Sequence, residues 1–482
     1  MNIRLIIHIL SIATIFIGGL MLLPILISIV YKGDDIYALT LSMGITLSFG
    51  FMGFLLSRSS IKEEIRHREA FVIVTLTWLT VTFFGSLPYI FSGVLDSLTD
   101  AYFESMSGFT TTGASVIKDV EKVPFGVLFW RSLTQWVGGM GIIVFALAIL
   151  PMIGGGGMQL FKAEVPEISV DKLRPRIIDT AKALWLIYVG ITVSAAIVYY
   201  IGGMGVFDAV NHAFTTLATG GFSTKNESLA FFKNPFLEYS TSFFMFLAGI
   251  NYSLYFGLLR GKHKRLLTNN EFKFYLFVTI FMTFCIATDL YFTKDMSVEQ
   301  SLRFSFFQVT SLMTTTGYAT ADFEKWSSFA LVLMLVCMLF GGMIGSTAGG
   351  VKQVRILLIL KQGYREIYQL IHPHAVTSIK LDEKFLTKEV LGSIWGFVFL
   401  FLAMCVIASA GVALCGVDLI TSFTTVLSAM SNVGPALGEA GPSENYSNIP
   451  STGKWILTFC MLLGRLEVYT VLILLVPNFW RK

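Results

Sequence analysis

The sequence predicts an all-α polytopic membrane protein: four M1–pore helix–M2 repeats around a pseudo-fourfold central pore, plus two N-terminal transmembrane helices. Three observations predict it. Of the 482 residues, 54% are hydrophobic and only 14% are charged, against about 25% charged in soluble domains. Apolar runs of about 20 residues recur, long enough to cross a hydrocarbon core of about 30 Å. A short polar stretch ending on glycine also recurs, at Gly113, Gly221, Gly317 and Gly434. Each copy follows a run too short to span and precedes one that is long enough. A spanning segment must satisfy its own backbone hydrogen bonds, so the spans are helices.

Residues 1–68 form the N-terminal pair, Leu5–Val30 and Ile36–Leu56, joined by Lys32-Gly33-Asp34-Asp35. The run after Arg4 exceeds a signal-peptide core of about 7–15 residues, which predicts a retained span. Repeat one, 69–176, has the span Phe71–Phe91, the short helix Asp96–Gly108 and the return span Trp130–Leu150. Repeat two, 177–268, has Ala183–Tyr200, Val206–Thr216 and Leu237–Leu259. Repeat three, 269–385, has Phe272–Phe292, Val298–Leu312 and a broken second span from Phe329. Repeat four, 386–482, has Val390–Leu414, Val417–Ala429 and Trp455–Val476. Runs this short are re-entrant more often than spanning.

Charge placement predicts orientation. The links between repeats are basic: Lys162, Lys172, Arg174 and Arg176; Arg260, Lys262, Lys264 and Arg265; Lys352, Arg355, Lys361, Arg365, Lys380 and Lys384. The positive-inside rule puts them and both termini in the cytoplasm. The opposite side carries Asp96, Asp100, Glu104, Asp208, Glu227, Asp322, Glu324, Glu439 and Glu444, which predicts an acidic outer vestibule suited to cations. The five cysteines lie in apolar runs without metal-like spacing and read as packing residues.

The strands are Thr110-Thr111-Thr112-Gly113, Ala218-Thr219-Gly220-Gly221, Thr314-Thr315-Thr316-Gly317 and Ser431-Asn432-Val433-Gly434. A monovalent cation leaving water exchanges its hydration shell for oxygens, and rings of backbone carbonyls supply them without a trapping net charge. Pointing successive carbonyls at one axis needs backbone angles that glycine tolerates. Threonine adds a hydroxyl oxygen on a stiff side chain. The preceding half-helices aim the negative ends of their dipoles at the ion. The predicted ligands of such a cation are these sixteen residues.

This arrangement resembles the Trk/Ktr/HKT superfamily of potassium uptake proteins, most closely the TrkH family of bacterial Trk membrane subunits. The likeness spans essentially the whole chain and includes Trp136-Val137-Gly138-Gly139-Met140-Gly141, Met158-Gln159-Leu160, Arg174-Pro175-Arg176, Gly345-Ser346-Thr347-Ala348-Gly349-Gly350 and Gly464-Arg465-Leu466-Glu467. It implies potassium uptake through a path lined by the four strands, a homodimer in the lipid bilayer, and a TrkA-like soluble nucleotide-binding regulatory subunit. The nucleotide, NAD or ATP, is expected on that partner only, because this chain carries no nucleotide motif. No enzyme activity and no nucleic-acid partner are expected. The strands depart from strict fourfold identity: repeat two pairs its glycines, and repeat four uses Asn432-Val433.

Two features predict a gate. Phe340-Gly341-Gly342-Met343-Ile344 leads into Gly345, Ser346, Thr347, Ala348, Gly349 and Gly350, placing five glycines within ten residues. Each costs a helix interior about 1 kcal/mol relative to alanine. Irregular backbone at membrane depth is tolerated where it lines a watery cavity, so this stretch reads as a re-entrant loop beneath the strands. Arg465 lies within an apolar span, where a charge is costly and usually functional. It is expected to border the cavity and oppose cations until the loop moves. Broken helices also suit a secondary transporter coupling potassium entry to protons or sodium. His372-Pro373-His374 and the Gly154–Gly157 run read as turns, lacking a further ligand or a phosphate-loop lysine.

Overall fold

The computed structural model describes residues 1–58, 67–141, 177–375, 377–382 and 384–481. Outside them lie the basic link with Lys162, Lys172, Arg174 and Arg176, the motifs at Met158 and Arg174, the Gly154–Gly157 run, and the end of the first return span. Among the described residues six helices are long and apolar enough to cross a membrane, or up to eight if each of two bent pairs counts as one span.

The N-terminal pair runs Ile3–Leu20, Leu22–Tyr31 and Ile36–Ser57. Its link does more than turn. Asp35 is 2% exposed, and its Oδ2 accepts from the Val127 N–H at 2.8 Å, while Oδ1 accepts from Ser28 Oγ. Val127 is in the first turn of the helix Phe125–Trp136, whose own N-cap, Pro124, supplies no side-chain bond. A helix start leaves orphan N–H groups, and here a distant aspartate caps one of them.

The first helices of the repeats (M1) are His67–Phe91, Ile177–Ile201, Asn270–Thr293 and Lys388–Ala413. The short pore helices are Leu98–Phe109, Val206–Leu217, Val298–Met313 and Leu419–Ser431, within a few residues of expectation. Local caps set the starts of the last two. Ser297 and Gln300 form a capping box, and Asp418 accepts from the N–H groups of Ile420 and Thr421. A two-residue antiparallel ladder, Lys380–Leu381 with Lys384–Phe385, is the only strand pairing among the described residues.

The second helices (M2) correct the sequence reading. A single break, in repeat three, was expected, and Leu237–Leu259 and Trp455–Val476 were expected to be continuous. Instead Pro235–Ala248 and Tyr252–Leu259 meet at 93°, and Ser451–Arg465 and Tyr469–Leu475 meet at 119°. The first M2 runs Phe125–Trp136 and passes into a π turn at Val137–Gly141. In repeat three Ser328–Phe340 and Gln353–Ile371 flank the predicted loop.

At three of the breaks a glycine sits where M2 meets the end of a pore helix or strand. A Cβ on Gly138 would lie 1.9 Å from the Phe109 carbonyl oxygen, and one on Gly464 would lie 2.2 Å from that of Met430. A Cβ on Gly249 would lie 2.5 Å from the Tyr275 hydroxyl and 3.0 Å from Thr314 Cγ2. Only glycine allows that approach, and glycine weakens the helix where it sits.

The cap in trans gives a stability prediction. Removing a charged, buried acceptor costs about 1–3 kcal/mol, so Asp35→Ala should lower the thermal unfolding midpoint of the detergent-solubilised protein. The exposed neighbour change Asp34→Ala should leave it in place.

Candidate functional site

All four pore helices end in the same hydrogen-bonded cap. The N–H groups of Thr112, Gly220, Thr316 and Val433 bond back to the carbonyls of Ser107, Thr215, Ser311 and Ser428 at 2.8–2.9 Å. Those of Thr111, Thr219, Thr315 and Asn432 bond to Gly108, Thr216, Leu312 and Ala429 at 3.0–3.3 Å. This six-to-one and five-to-two pairing is the Schellman cap, which needs a left-handed residue just past the helix. Those residues are Thr111 (φ 54°), Thr219 (53°), Thr315 (57°) and Asn432 (56°). Asparagine accepts such angles readily, but a β-branched threonine does not, at about 1–2 kcal/mol each.

Two residues on, the glycines are left-handed again: Gly113 at 84°, Gly221 at 74°, Gly317 at 82° and Gly434 at 105°. The residues between them are not. Alternating hand turns successive carbonyls to one side, where an extended strand would alternate them.

The four strands close on one another. A Cβ on Gly113 would lie 2.2 Å from the Gly220 carbonyl oxygen. One on Gly221 would lie 1.9 Å from that of Thr316, one on Gly317 2.0 Å from that of Val433, and one on Gly434 2.6 Å from that of Thr112. Each strand thus abuts the next, and the fourth returns to the first. The structure joins the strands at the third and fourth of the residues named from sequence in each, and the first two of each follow from the pore helix into that ring. Their threonines are buried, and the Oγ1 atoms of Thr110 and Thr112, and of Thr314 and Thr316, lie 2.8 Å apart. Convergent carbonyl layers of this kind can replace the hydration shell of a monovalent cation.

The strands are held from behind by polar side chains to which the sequence reading gave no such role. Glu104, one turn from the end of the first pore helix, accepts from Arg131 Nε at 2.7 Å, from Ser115 Oγ at 3.0 Å and from Val116 N–H at 2.9 Å. Arg131 also donates to the Ser223 carbonyl at 3.0 Å and lies 3.5 Å from the centroid of the Phe222 ring. One buried ion pair therefore joins two neighbouring strands. Gln135, one helical turn on, donates to the Gly220 carbonyl at 2.6 Å and accepts from Phe222 N–H at 3.0 Å. In repeat two His212 Nε2 meets Ser223 Oγ at 3.0 Å, and in repeat four Tyr446 donates to the Gly434 carbonyl at 2.6 Å. A polar pair at helical spacing inside Trp130-Arg131-Ser132-Leu133-Thr134-Gln135-Trp136 was the available signal.

Glu104 is a correction: expected in the vestibule, it is 0% exposed and bound to Arg131. Other acids of that side also have cations nearby. Asp100 pairs with Lys454 at 2.7 Å, Asp322 with Lys325 at 3.0 Å, and Asp208 with Lys225 at 3.9 Å.

The loop between Phe340 and Gln353 lies against the strand ends nearest the pore helices. Thr347 Oγ1 donates to the carbonyl of Leu217 at 2.9 Å, and Gly349 N–H donates to Thr315 Oγ1 at 2.7 Å. A Cβ on Gly349 would lie 2.3 Å from the Ser431 carbonyl oxygen. The tip therefore touches the ends of repeats two, three and four. Arg465 completes the circuit, donating to Thr347 O at 2.9 Å, to Gly139 O at 2.9 Å and to Gly138 O. Met343 N–H bonds to Gly249 O at 2.9 Å, and Tyr252 N–H to Gly345 O at 3.0 Å, which is why the second M2 bends there. Glu467 pairs with Arg355. Glu271 accepts from Ile344 N–H at 2.8 Å. No group of three or more His, Cys, Asp or Glu side chains converges among the described residues, and His372 and His374 lie exposed at a helix end.

Residues 40–482 match the family described as TrkH, cation transport protein. The Trk system potassium uptake protein TrkH of Halomonas elongata is 41% identical over 485 residues, covering 100% of both chains. Its namesake from Escherichia coli (strain K12) is 40% identical over 486 residues, again covering both chains completely. The crystal structure of the potassium transporter TrkH from Vibrio parahaemolyticus superposes with a TM-score of 0.91 at 35% identity over 100% of each chain.

The buried pair gives a second prediction. Breaking a buried ion pair costs about 3–5 kcal/mol because the remaining charge is stranded, whereas replacing both partners often does not. Glu104→Leu should therefore destabilise more than Glu104→Leu combined with Arg131→Leu in thermal unfolding. Additive losses would contradict the pairing.

Proposed function

Because the chain belongs to the TrkH family of cation transport proteins, we propose that it takes up potassium across the cytoplasmic membrane as the channel-like, pore-forming subunit of a Trk-type system. The observation that carries this is the closed ring in which each strand's glycine abuts the next strand's carbonyl. Potassium is the transported ion, and residues 110–113, 218–221, 314–317 and 431–434 line its path. The basic links and both termini face the cytoplasm, so the strands open outward. A soluble nucleotide-binding regulator docks on the cytoplasmic face, and two copies of this chain form the assembly.

Gly345–Gly350 is the gate. Its tip is bonded to Leu217, to Thr315 and, through Thr347, to Arg465, so the path opens only when these bonds break together. Arg465 has two effects. Its guanidinium latches the loop to the first M2, and its charge opposes a cation reaching the cavity. Withdrawal of the loop removes the plug and frees the arginine to move.

The test is potassium and sodium flux in liposomes. Gly221→Ala places a methyl against the Thr316 carbonyl and should cut potassium flux about tenfold or more, a loss of only 1.4 kcal/mol. Gly190→Ala meets nothing within 4 Å and should leave flux unchanged. Deleting residues 346–349, or Arg465→Ala, should raise potassium flux in the absence of the regulator; unaltered flux in both would contradict the gate. A reversal potential set by potassium alone supports a pore, whereas a fixed proton or sodium coupling ratio contradicts it.

A further inference from the structure

Repeat two is the odd member of the ring. The position before its left-handed glycine is Gly220, where the other repeats have Thr112, Thr316 and Val433. Two successive glycines have the least conformational restraint a strand can have. The structure supplies the reason for the second one. A Cβ on Gly220 would lie 2.4 Å from the carboxamide carbon of Gln135, 2.5 Å from its Oε1 and 2.8 Å from its Nε2. The space a side chain would fill is taken by Gln135, reaching over from the M2 helix of repeat one.

That carboxamide bonds the strand at two points, donating to Gly220 O at 2.6 Å and accepting from Phe222 N–H at 3.0 Å. It brackets Gly221 as a neighbouring parallel β-strand would. Gln135 is itself 0% exposed, so water does not compete for either bond. The same Gly220 oxygen is the one that faces Gly113, so it belongs to the layer formed with the oxygens of Thr112, Thr316 and Val433. Among the described residues none of those three oxygens accepts a side-chain hydrogen bond. One oxygen in four is therefore fixed by a side chain from the adjacent repeat.

The geometry points to Gln135 as a positioning residue for ion selectivity, holding the Gly220 carbonyl at the radius of its layer through an inter-repeat clamp. This deepens the potassium-uptake reading and rests on it. Discrimination between potassium and the smaller sodium ion depends on how many oxygens the layer presents and how well they keep their place. Without the clamp the Gly220–Gly221 peptide rotates freely, and the layer tightens around the smaller ion or loses an oxygen. Either outcome favours sodium relative to the native filter.

The experiment compares potassium-to-sodium permeability ratios in proteoliposomes of the full-length protein for wild type, Gln135→Leu and Gln308→Leu. Gln308 is an internal control of the same chemistry. It is 0% exposed on the pore helix of repeat three, and neither amide atom has a partner. Gln135→Leu should lower the ratio about threefold to tenfold, the span one hydrogen bond corresponds to, with potassium flux retained. Gln308→Leu should keep the wild-type ratio. Gln135→Met, which keeps the unbranched shape, carries the same expectation as Gln135→Leu and serves if the branched variant does not fold. A wild-type ratio in either Gln135 variant overturns the inference, and so does an equal fall in Gln308→Leu. Absence of potassium flux in wild type would instead sink the potassium reading, so the two failures are distinguishable.

Discussion

Carbonyl oxygens can line a narrow axis only if four backbones approach with no side chain between them. Almost every other feature of the fold follows from that demand. Alternating left- and right-handed residues keep the oxygens on one side. The Schellman cap delivers the first left-handed residue at the end of each pore helix, and glycine supplies the second. The threonines held at positive φ are strained, and strain of this size persists only where the surroundings over-determine the conformation. Those surroundings differ from repeat to repeat: an Arg–Glu pair behind repeat one, a glutamine clamp and a histidine behind repeat two, and a tyrosine hydroxyl behind repeat four. The symmetry belongs to the backbone, and the means of holding it are particular to each quadrant.

The same closeness explains the inner helices. Each reaches the base of the strands where glycine or irregular backbone lets it in, and each loses its helical continuity there. In repeat three the interruption grows into a loop with several of its polar groups committed: Thr347 to Leu217, Gly349 to Thr315, Ile344 to Glu271. Backbone buried at membrane depth must find such partners. The loop tip is thus bonded to separate repeats at once. Arg465 gathers three carbonyls, one from the loop and two from the first M2, which is how a charge can be lodged in an apolar span.

Much of this could be read from the chain alone. The repeat, the ends of the pore helices, the strand glycines and the loop all leave local marks: run length, a glycine after small polar residues, glycine density. The bend in the second M2 leaves none, because a run stays apolar whether or not it turns, and in the fourth M2 the charges of Arg465 and Glu467 mark a functional position without saying that the helix turns there. Contacts across repeats were equally silent. Asp35 read only as part of a polar link and Glu104 as a vestibule acid, yet one caps a helix more than ninety positions away and the other is buried against Arg131. Gly220 was visible as an irregularity, but its reason lay in Gln135, on another repeat.

The central claim is that one cation, stripped of water, sits on the axis the four strands share. The direct measurement is anomalous diffraction from crystals grown in rubidium in place of potassium. The account predicts peaks on that axis, in contact with the carbonyl oxygens of Thr112, Gly220, Thr316 and Val433. Rubidium found only away from those oxygens, with the strands ordered and the axis empty, would contradict it.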